Sequence, residues 1–231
     1  RPQMNPPRIG SLPSGPRDAI SDVGEVRVGH VTLDRGAVQT GVTVVVPHTG
    51  DPFADKIPAA AAVINGFGKS IGLVQVEELG VLETPIALTN TFAVGALAQA
   101  QIRQAIAANP ETGRSLSTVN PLVFECNDGY LNDIQALAIE DAHYRDACAA
   151  APAEVVEGSV GAGRGMSSFG LKRGIGTASR RVTLPAAGEK DTAEYTVTDL
   201  LHGSYTGVVD DFVLRRGDNV PAYNLAVVVD D

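Results

Sequence analysis

Short runs of apolar, often β-branched residues alternate with polar turns along much of the chain. Runs of this kind occupy residues 26–31, 41–46, 85–88 and 121–124. Apolar runs of this length, bounded by Gly, Pro, Asn or Asp, predict buried strands. We therefore expect these segments to be strands buried in the core.

Helical spacing predicts three helices among these strands. One follows the N-capping residues 89–91 and ends at residues 109–110, Asn-Pro, which stop it. Another begins near residues 132–133, has its apolar positions on one face and continues to about Ala150. A shorter helix is predicted over residues 72–79.

The composition changes towards the end of the chain. Residues 158–176 carry seven glycines, and strands are predicted at 180–184 and 195–197, before a β-branched ending. Five prolines and no apolar periodicity predict an extended arm over residues 1–17. Residues 18–231 then form one domain of mixed α and β structure around a single core.

Composition excludes several classes of protein. The 231 residues include 27 acids and 18 bases, for a net charge of −9, which disfavours binding to nucleic acids or anionic membranes. Apolar residues reach 44% and charged ones 19%, unlike a disordered chain. No apolar run approaches the roughly 20 residues of a membrane helix. The two cysteines are too few for a disulfide framework, so we expect reduced thiols and a cytoplasmic protein.

The sequence gives no sign of a metal or a nucleotide cofactor. The four histidines, at positions 30, 48, 143 and 202, have no metal-ligand spacing. The segment from Gly161 to Met166 lacks the last glycine of a dinucleotide-binding loop, and no Walker-type loop is present. We therefore expect neither a metal nor a cofactor.

Polar side chains are most concentrated at residues 125–133, directly after one predicted strand and before a predicted helix. Glu125 follows three apolar residues, so its carboxylate should be partly buried and should need a partner or a function. For Asn127 a functional and a structural role are equally supported. Asp128 and Asn132 are typical turn and capping residues.

Two interpretations of the glycine segment remain open. Its backbone N–H groups, at Gly161 and Gly163 among others, could bind a substrate or form an oxyanion hole. Alternatively, it is a bulged strand in close contact with its neighbours, which the pattern alone favours. The serines nearby do not sit in a nucleophile elbow, and no Ser-His-Asp set can be assembled.

Taken together, several motifs resemble one family, the self-processing aminopeptidases and amidases typified by DmpA. This family includes β-peptidyl aminopeptidases and the pantetheine hydrolase ThnT. The matching segments are GPRDAISDV at 15–23, VGH at 28–30, TGVT at 40–43, NGFG at 65–68, ETPIALTNT at 83–91, ECNDGYLND at 125–133, GSVGAG at 158–163 and GIGTASR at 174–180. Each motif is weak alone, but their order along the chain is specific.

The resemblance implies an αββα sandwich, four layers resembling the N-terminal-nucleophile hydrolases but with different chain connectivity. It implies a precursor that cleaves itself, with the nucleophilic Thr or Ser at the start of a separate β chain. This chain resembles the α chain, and αβ heterodimers would assemble into a homo-oligomer. The carboxylate at the position of Glu125 would hold a substrate ammonium group, and the glycine-rich strand with Gly161 and Gly163 would line the same pocket.

Two positions depart from the family pattern. Asn127 stands where the aminopeptidases tend to have an aromatic residue, and residues 201–207 lack the Asn that stabilises the oxyanion. The leading hypothesis is an amide hydrolase acting on small peptides or pantetheine-like amides. The alternatives are an acyltransferase of the ornithine-acetyltransferase type and a catalytically silent binding protein.

Overall fold

The computed structural model describes residues 10–63 and 66–183, together with the backbone of three later strands. The helices and strands are β1 (Arg27–Arg35), β2 (Val38–Val46), β3 (Ile57–Ala60), α1 (Leu73–Leu79), β4 (Val81–Leu82), β5 (Ile86–Asn90), α2 (Val94–Ala108), β6 (Leu122–Cys126), α3 (Asp141–Ala149), β7 (Ser167–Ser168), β8 (Leu171–Lys172), β9 (Glu194–Asp199), β10 (Gly203–Val208) and β11 (Leu225–Ala226).

The chain divides into two compact units, one of Arg1–Ser14 with Arg180–Ala222 and one of Gly15–Ser179 with Tyr223–Asp231. The larger unit holds all the candidate residues. The predicted arm over residues 1–17 and the single domain over 18–231 stay predictions, and the first nine residues lie outside the described ones.

A four-stranded sheet in the order β1-β2-β5-β6 forms the centre of the larger unit. The first three strands pair antiparallel, whereas β5 and β6 run parallel. The register of that parallel pair sets Thr89 opposite Glu125 and Asn90 opposite Cys126. The carboxyl ends of both strands therefore meet at one edge of the sheet, where polar side chains follow each strand.

Apolar side chains bury both faces of this sheet. Along β2, Val42 and Val44 belong to one buried cluster and Val45 to another, because successive side chains of a strand point to opposite faces. The first cluster includes Leu97 of α2 and Tyr144 of α3, and the second includes α1 and β4 residues. The expectation of buried strands is confirmed for β2, β5 and β6.

The predicted helix after residues 89–91 is α2, introduced by a 3₁₀ turn over Thr91–Ala93. The Asn90 side chain caps this turn by accepting the N–H groups of Phe92 and Ala93, both at 3.1 Å. The helix ends at Ala108, just before Asn109, as expected. The short helix predicted over 72–79 is α1, between glycines in the left-handed conformation.

The helix predicted from residues 132–133 is wrong over its first half. Residues 134–136 form a 3₁₀ turn, and Leu137 is left-handed (φ +47°), which ends that turn. Helix α3 begins only at Asp141, where His143 Nδ1 accepts the backbone N–H of Glu140 at 2.9 Å. The residues before Asp141 make other contacts instead: the Asp133 N–H donates to the carbonyl of Ala37, which lies beside β2.

Two strand predictions near the end of the chain have different outcomes. The strand predicted over 195–197 is confirmed as β9, which pairs antiparallel with β10. The strand predicted over 180–184 is wrong for the described residues 180–183, where Arg181 makes a single backbone bond to Pro13, and Leu184 lies outside the described part. Of the β-branched ending, β11 pairs with β3, and residues 227–231 lie outside the described part.

Candidate functional site

Glu125 lies near the carboxyl end of β6 and is only 8% exposed, as the sequence predicts. Its Oε1 accepts the backbone N–H of Lys69 at 3.1 Å, and its Oε2 accepts the hydroxyl of Thr91, the first residue after β5. The ion pairs in the described part of the chain, Lys56–Glu83, Arg103–Asp141 and Arg164–Asp34, do not include it. Its carboxylate is thus buried and hydrogen-bonded, with capacity left for a cation.

The segment that covers Glu125 from one side is fixed by the sheet. Ile71 exchanges two backbone hydrogen bonds with Val123 of β6, at 2.9 and 3.0 Å. The Lys69 ammonium group turns away from the carboxylate: it donates to the Phe67 carbonyl at 2.7 Å and lies 3.4 Å from the Phe67 ring centre. Lys69 therefore contributes its backbone amide to Glu125, not its charge.

Polar side chains also tie β5 to β2 beside the carboxylate. Asn90 Nδ2 donates to Thr40 Oγ1 at 2.9 Å, and the Thr89 hydroxyl donates to the Gly41 carbonyl at 3.2 Å. All three side chains are buried. These bonds hold this edge of the sheet rigid, so the position of Glu125 relative to β2 is fixed before any ligand arrives.

Asp128 is more deeply buried than the sequence suggests, with 1% exposure. Its Oδ1 accepts Asn132 Nδ2 at 3.0 Å, and its carbonyl accepts the N–H groups of Leu131 and Asn132, so its predicted turn role is present. Its Oδ2 is buried and makes no well-oriented hydrogen bond to another described residue. Burial raises the pKa of Asp128, as does the charge of Glu125, while Thr40 and Asn132 oppose the shift.

Asn127 is exposed, two residues after Glu125 in the same loop. Its Oδ1 accepts the backbone N–H of Gly129 at 2.9 Å, which stabilises the turn after β6. This bond gives Asn127 a structural role, and its predicted substrate-binding role stays a prediction.

The predicted strand through the glycine segment is wrong at Gly161–Gly163, which form a buried 3₁₀ turn. The left-handed backbone of Gly161 (φ +51°) interrupts any extended conformation there. Its N–H donates to Thr32 Oγ1 at 2.8 Å, and the N–H of Gly163 donates to the Val160 carbonyl at 2.9 Å. Both amides are thus engaged within the fold, and the predicted binding roles of Gly161 and Gly163 stay predictions.

Close packing explains the glycines better than ligand binding does. A Cβ on Gly161 would lie 2.3 Å from Thr43 Oγ1 of β2, and one on Gly165 would lie 2.8 Å from the Asp128 Cβ. The segment therefore lies directly against β2 and the loop after β6. In the described part of the chain no hydrogen bond joins Gly161 or Gly163 to Glu125.

His30 lies beside the same turn. Its Nδ1 is 2.9 Å from Thr43 Oγ1, which also accepts the N–H of Ala162 at 3.0 Å. The direction of the bond between the ring and this hydroxyl depends on the tautomer: in the neutral tautomer with Nε2 protonated, the Thr43 hydroxyl donates to Nδ1. Burial lowers the pKa of His30, although the Val156 carbonyl acts in the opposite direction.

A groove of about 520 Å³ opens at the other end of the sheet, beside Pro85 at the start of β5. Tyr144 and Cys148 of α3 and Gln101 of α2 contribute to its lining. It contains none of the predicted site residues. The groove is therefore separate from the polar edge around Glu125.

Sequence patterns missed the groups that contact Glu125. The pattern predicts only a capping role for Thr91. Lys69 contacts Glu125 through its backbone N–H, which a sequence pattern does not reveal. The signal for Thr91 was available, because residues that follow two parallel neighbouring strands meet at one edge of the sheet.

The described residues contain neither a metal-binding group of three or more His, Cys, Asp or Glu nor a helix long and apolar enough to cross a membrane.

A family model and relatives of known function match most of the chain. The model of one protein family, peptidase family S58, matches residues 18–219. The β-peptidyl aminopeptidase BapA of Sphingosinicella xenopeptidilytica is 36% identical over 201 residues, which are 83% of this chain and 48% of that protein. The chain thus spans about half the length of this relative.

Two solved structures are similar in fold. A β-aminopeptidase from Burkholderia sp. is 43% identical with a TM-score of 0.70, covering 76% of this chain and 50% of that one. The L-aminopeptidase D-Ala-esterase/amidase of Ochrobactrum anthropi, described as a variant of the Ntn hydrolase fold, is 30% identical with a TM-score of 0.64, covering 71% and 48%. The α+β fold predicted to resemble N-terminal-nucleophile hydrolases is confirmed.

Proposed function

Because this chain belongs to peptidase family S58, we propose that it is the α chain of an amide hydrolase that cleaves small peptides or pantetheine-like amides. The observation that carries the proposal is the carboxylate of Glu125. It is buried and rigidly held at the polar edge of the sheet, and the neighbouring Lys69 ammonium group is directed elsewhere.

Glu125 binds the free amino group of the substrate. Its two hydrogen bonds, from Lys69 N–H and the Thr91 hydroxyl, fix the carboxylate and leave other lone pairs free. An ammonium group that replaces water there forms a charge-assisted hydrogen bond, which is stronger than one between neutral groups. Selection for a free amino terminus follows from this contact.

The nucleophile lies on a β chain released from the same precursor. Its amino-terminal Ser or Thr hydroxyl attacks the substrate carbonyl while its own α-amine accepts the proton. That proton passes to the leaving amine as the C–N bond breaks, and water then hydrolyses the acyl-enzyme. The half-length match to the curated relative supports a missing second part.

The substrate class follows from the relatives. The names of the Sphingosinicella and Burkholderia proteins indicate β-amino acids at the amino terminus of the substrate, and we extend that class to this chain.

The other predicted site residues line the same pocket. Asn127, exposed beside Glu125, contacts the substrate side chain. Gly161 and Gly163 form part of the pocket wall, where they add no side-chain bulk. The αβ heterodimer forms homo-oligomers and acts in the cytoplasm, where the thiols of Cys126 and Cys148, which are not joined by a disulfide, stay reduced.

The first test is intact-mass analysis of the protein purified from the complete gene. Two chains are expected, the second beginning with Ser or Thr. A single uncleaved chain would overturn the self-processing proposal, and a second chain without Ser, Thr or Cys at its start would favour a silent binding protein.

The second test is hydrolysis of α- and β-aminoacyl p-nitroanilides, each compared with its N-acetylated form. Faster hydrolysis of the free-amine substrates is expected. Added hydroxylamine should not divert most of the product into a hydroxamate, because predominant transfer would indicate an acyltransferase instead.

A further inference from the structure

The turn after β6 uses only part of the carboxylate of Asp128. The turn after β6 uses its carbonyl oxygen and its Oδ1, which bonds to Asn132 Nδ2 at 3.0 Å. An asparagine offers the same two acceptors. The remaining oxygen, Oδ2, is buried and makes no well-oriented hydrogen bond to another described residue, although Thr40 lies close enough to lower the pKa of the group.

This carboxylate cannot move to solvent easily. Asp128 is 1% exposed, and the backbone of Gly165 packs so closely that a Cβ there would lie 2.8 Å from Asp128 Cβ. Asn132 is itself held, since its Oδ1 accepts the Gln39 N–H of β2 at 2.8 Å. The negative charge of Asp128 is therefore fixed within the same edge of the sheet as Glu125.

An unpaired buried carboxylate costs folding free energy. The charge of Glu125 adds to this cost, because a nearby negative charge disfavours ionisation of Asp128. An Asn at position 128 would offer the turn the same two acceptors without this cost. The presence of an Asp there therefore indicates that its charge has a role other than stabilising the turn.

We propose that Asp128 is a positioning residue whose buried negative charge strengthens the hold of Glu125 on a protonated amine. This inference rests on the proposed function and adds a second group to the recognition of the substrate amino terminus. A bound ammonium ion relieves the repulsion between the two carboxylates. Binding therefore gains from both charges although only Glu125 makes the contact.

Among the described residues, little else around Asp128 could supply this charge effect. The neighbouring strands β2 and β5 present the neutral side chains of Thr40 and Asn90, which bond to each other. Arg164, one residue before Gly165, is directed to Asp34 at 2.7 Å and to Gln39 at 2.8 Å. Of the charged groups in the described part of the chain, Glu125 is the one that raises the pKa of Asp128.

The test is Asp128→Asn in the complete protein, with Asp133→Asn as the matched control. Asp133 lies in the same loop but is exposed, and its backbone, through the N–H and the carbonyl, makes its hydrogen bonds to Ala37 and Ala136. We expect Asp128→Asn to raise KM for aminoacyl p-nitroanilides about tenfold near neutral pH, the effect of removing one nearby charge. The kcat should stay within about twofold, as for a loss of uniform binding.

The pH profile separates this role from a structural one. Because burial raises the pKa of Asp128, its charge is lost as the pH falls through that raised pKa, and the wild-type KM should rise there. Asp128→Asn should lack this rise, while Asp133→Asn keeps it. An unchanged KM with an unchanged profile in Asp128→Asn would overturn the proposal, as would an equal loss for amine-free acyl anilides accompanied by a lower Tm.

A direct binding measurement keeps this test independent of the proposed reaction. Propylammonium is titrated into each protein and followed by NMR, with propanol as the uncharged probe. Weaker propylammonium binding in Asp128→Asn supports the inference even if no anilide is hydrolysed, an outcome that would refute only the hydrolase proposal. Equal binding by wild type and Asp128→Asn would overturn the inference even in an active hydrolase.

Discussion

Thr91 donates its hydroxyl to Oε2 of Glu125, from the residue directly after β5 to the carboxyl end of β6. The contact exists because these two strands are parallel and adjacent, so that their ends coincide. It orients the carboxylate while its charge remains without a cationic partner among the described residues.

Replacing Glu125 by Gln should impair substrates that carry a free amine. The amide keeps the size of the side chain and one acceptor but loses the charge, so kcat/KM for these substrates should fall about 10- to 100-fold, the range expected for a hydrogen bond to a charged group. Kinetics on free-amine and amine-free anilides measure this. An equal loss on both classes would contradict the ammonium role.

Replacing Thr91 by Val removes the hydroxyl that orients Glu125 and leaves the shape nearly unchanged. Loss of this bond should lower the free energy of unfolding by about 1 kcal/mol, as for a typical hydrogen bond, and should raise KM for free-amine substrates. Thr91→Ser is the matched control, because it retains the hydroxyl. If Ser and Val variants behave alike in urea denaturation and kinetics, the hydroxyl does not matter.

Replacing Gly161 by Ala should strain the turn against β2. Its φ of +51° disfavours a side chain, and the added Cβ would lie 2.3 Å from Thr43 Oγ1 and 2.7 Å from His30 Nδ1. Overpacking and backbone strain together should cost about 2 kcal/mol or more, measured by urea denaturation.

The control for Gly161→Ala is Gly95→Ala. Gly95 is exposed in α2, and an added Cβ would meet nothing within 4 Å, so this change should leave stability unchanged or raise it by up to about 1 kcal/mol. Equal destabilisation by both changes would show that the close approach to β2 is unimportant.

The sequence predicted the strands β2, β5 and β6 and the helix α2 because each has a long apolar pattern or a clear cap. It failed at residues 132–140, although the helical spacing of apolar residues there is real. The left-handed Leu137 and the bonds of Asn132 to Gln39 and of Asp133 to Ala37 prevail over that spacing. Such tertiary contacts leave no local signal.

The candidate site was predicted in part. Glu125 follows an apolar strand, so its burial could be inferred from neighbours in the chain. The burial of Asp128 could not, because it depends on Gly165 and Thr40, which are distant in sequence. The glycine segment was correctly associated with close packing, but its turn conformation depends on Thr32 and Thr43.

His30 links the protonation state of the protein to the same turn. Its Nδ1 faces Thr43 Oγ1, whose other bond comes from the Ala162 N–H. Protonation of the ring places a proton on Nδ1 and forces the Thr43 hydroxyl to redirect its own. Burial favours the neutral ring, which is why the pKa of His30 is below 6.5.

Stability should therefore fall on acidification through this histidine. The unfolded chain binds a proton near pH 6.5 and the folded state only at lower pH, so the free energy of unfolding decreases as the pH falls from 6.5 to the lowered pKa. His30→Gln should reduce this dependence in urea denaturation between about pH 7 and 5, across the range of unperturbed histidine. His48→Gln, whose ring bonds to Gly50 and Asp55, is the control and should retain it. A His30→Gln protein with the wild-type pH dependence would show that the neutral ring is not required.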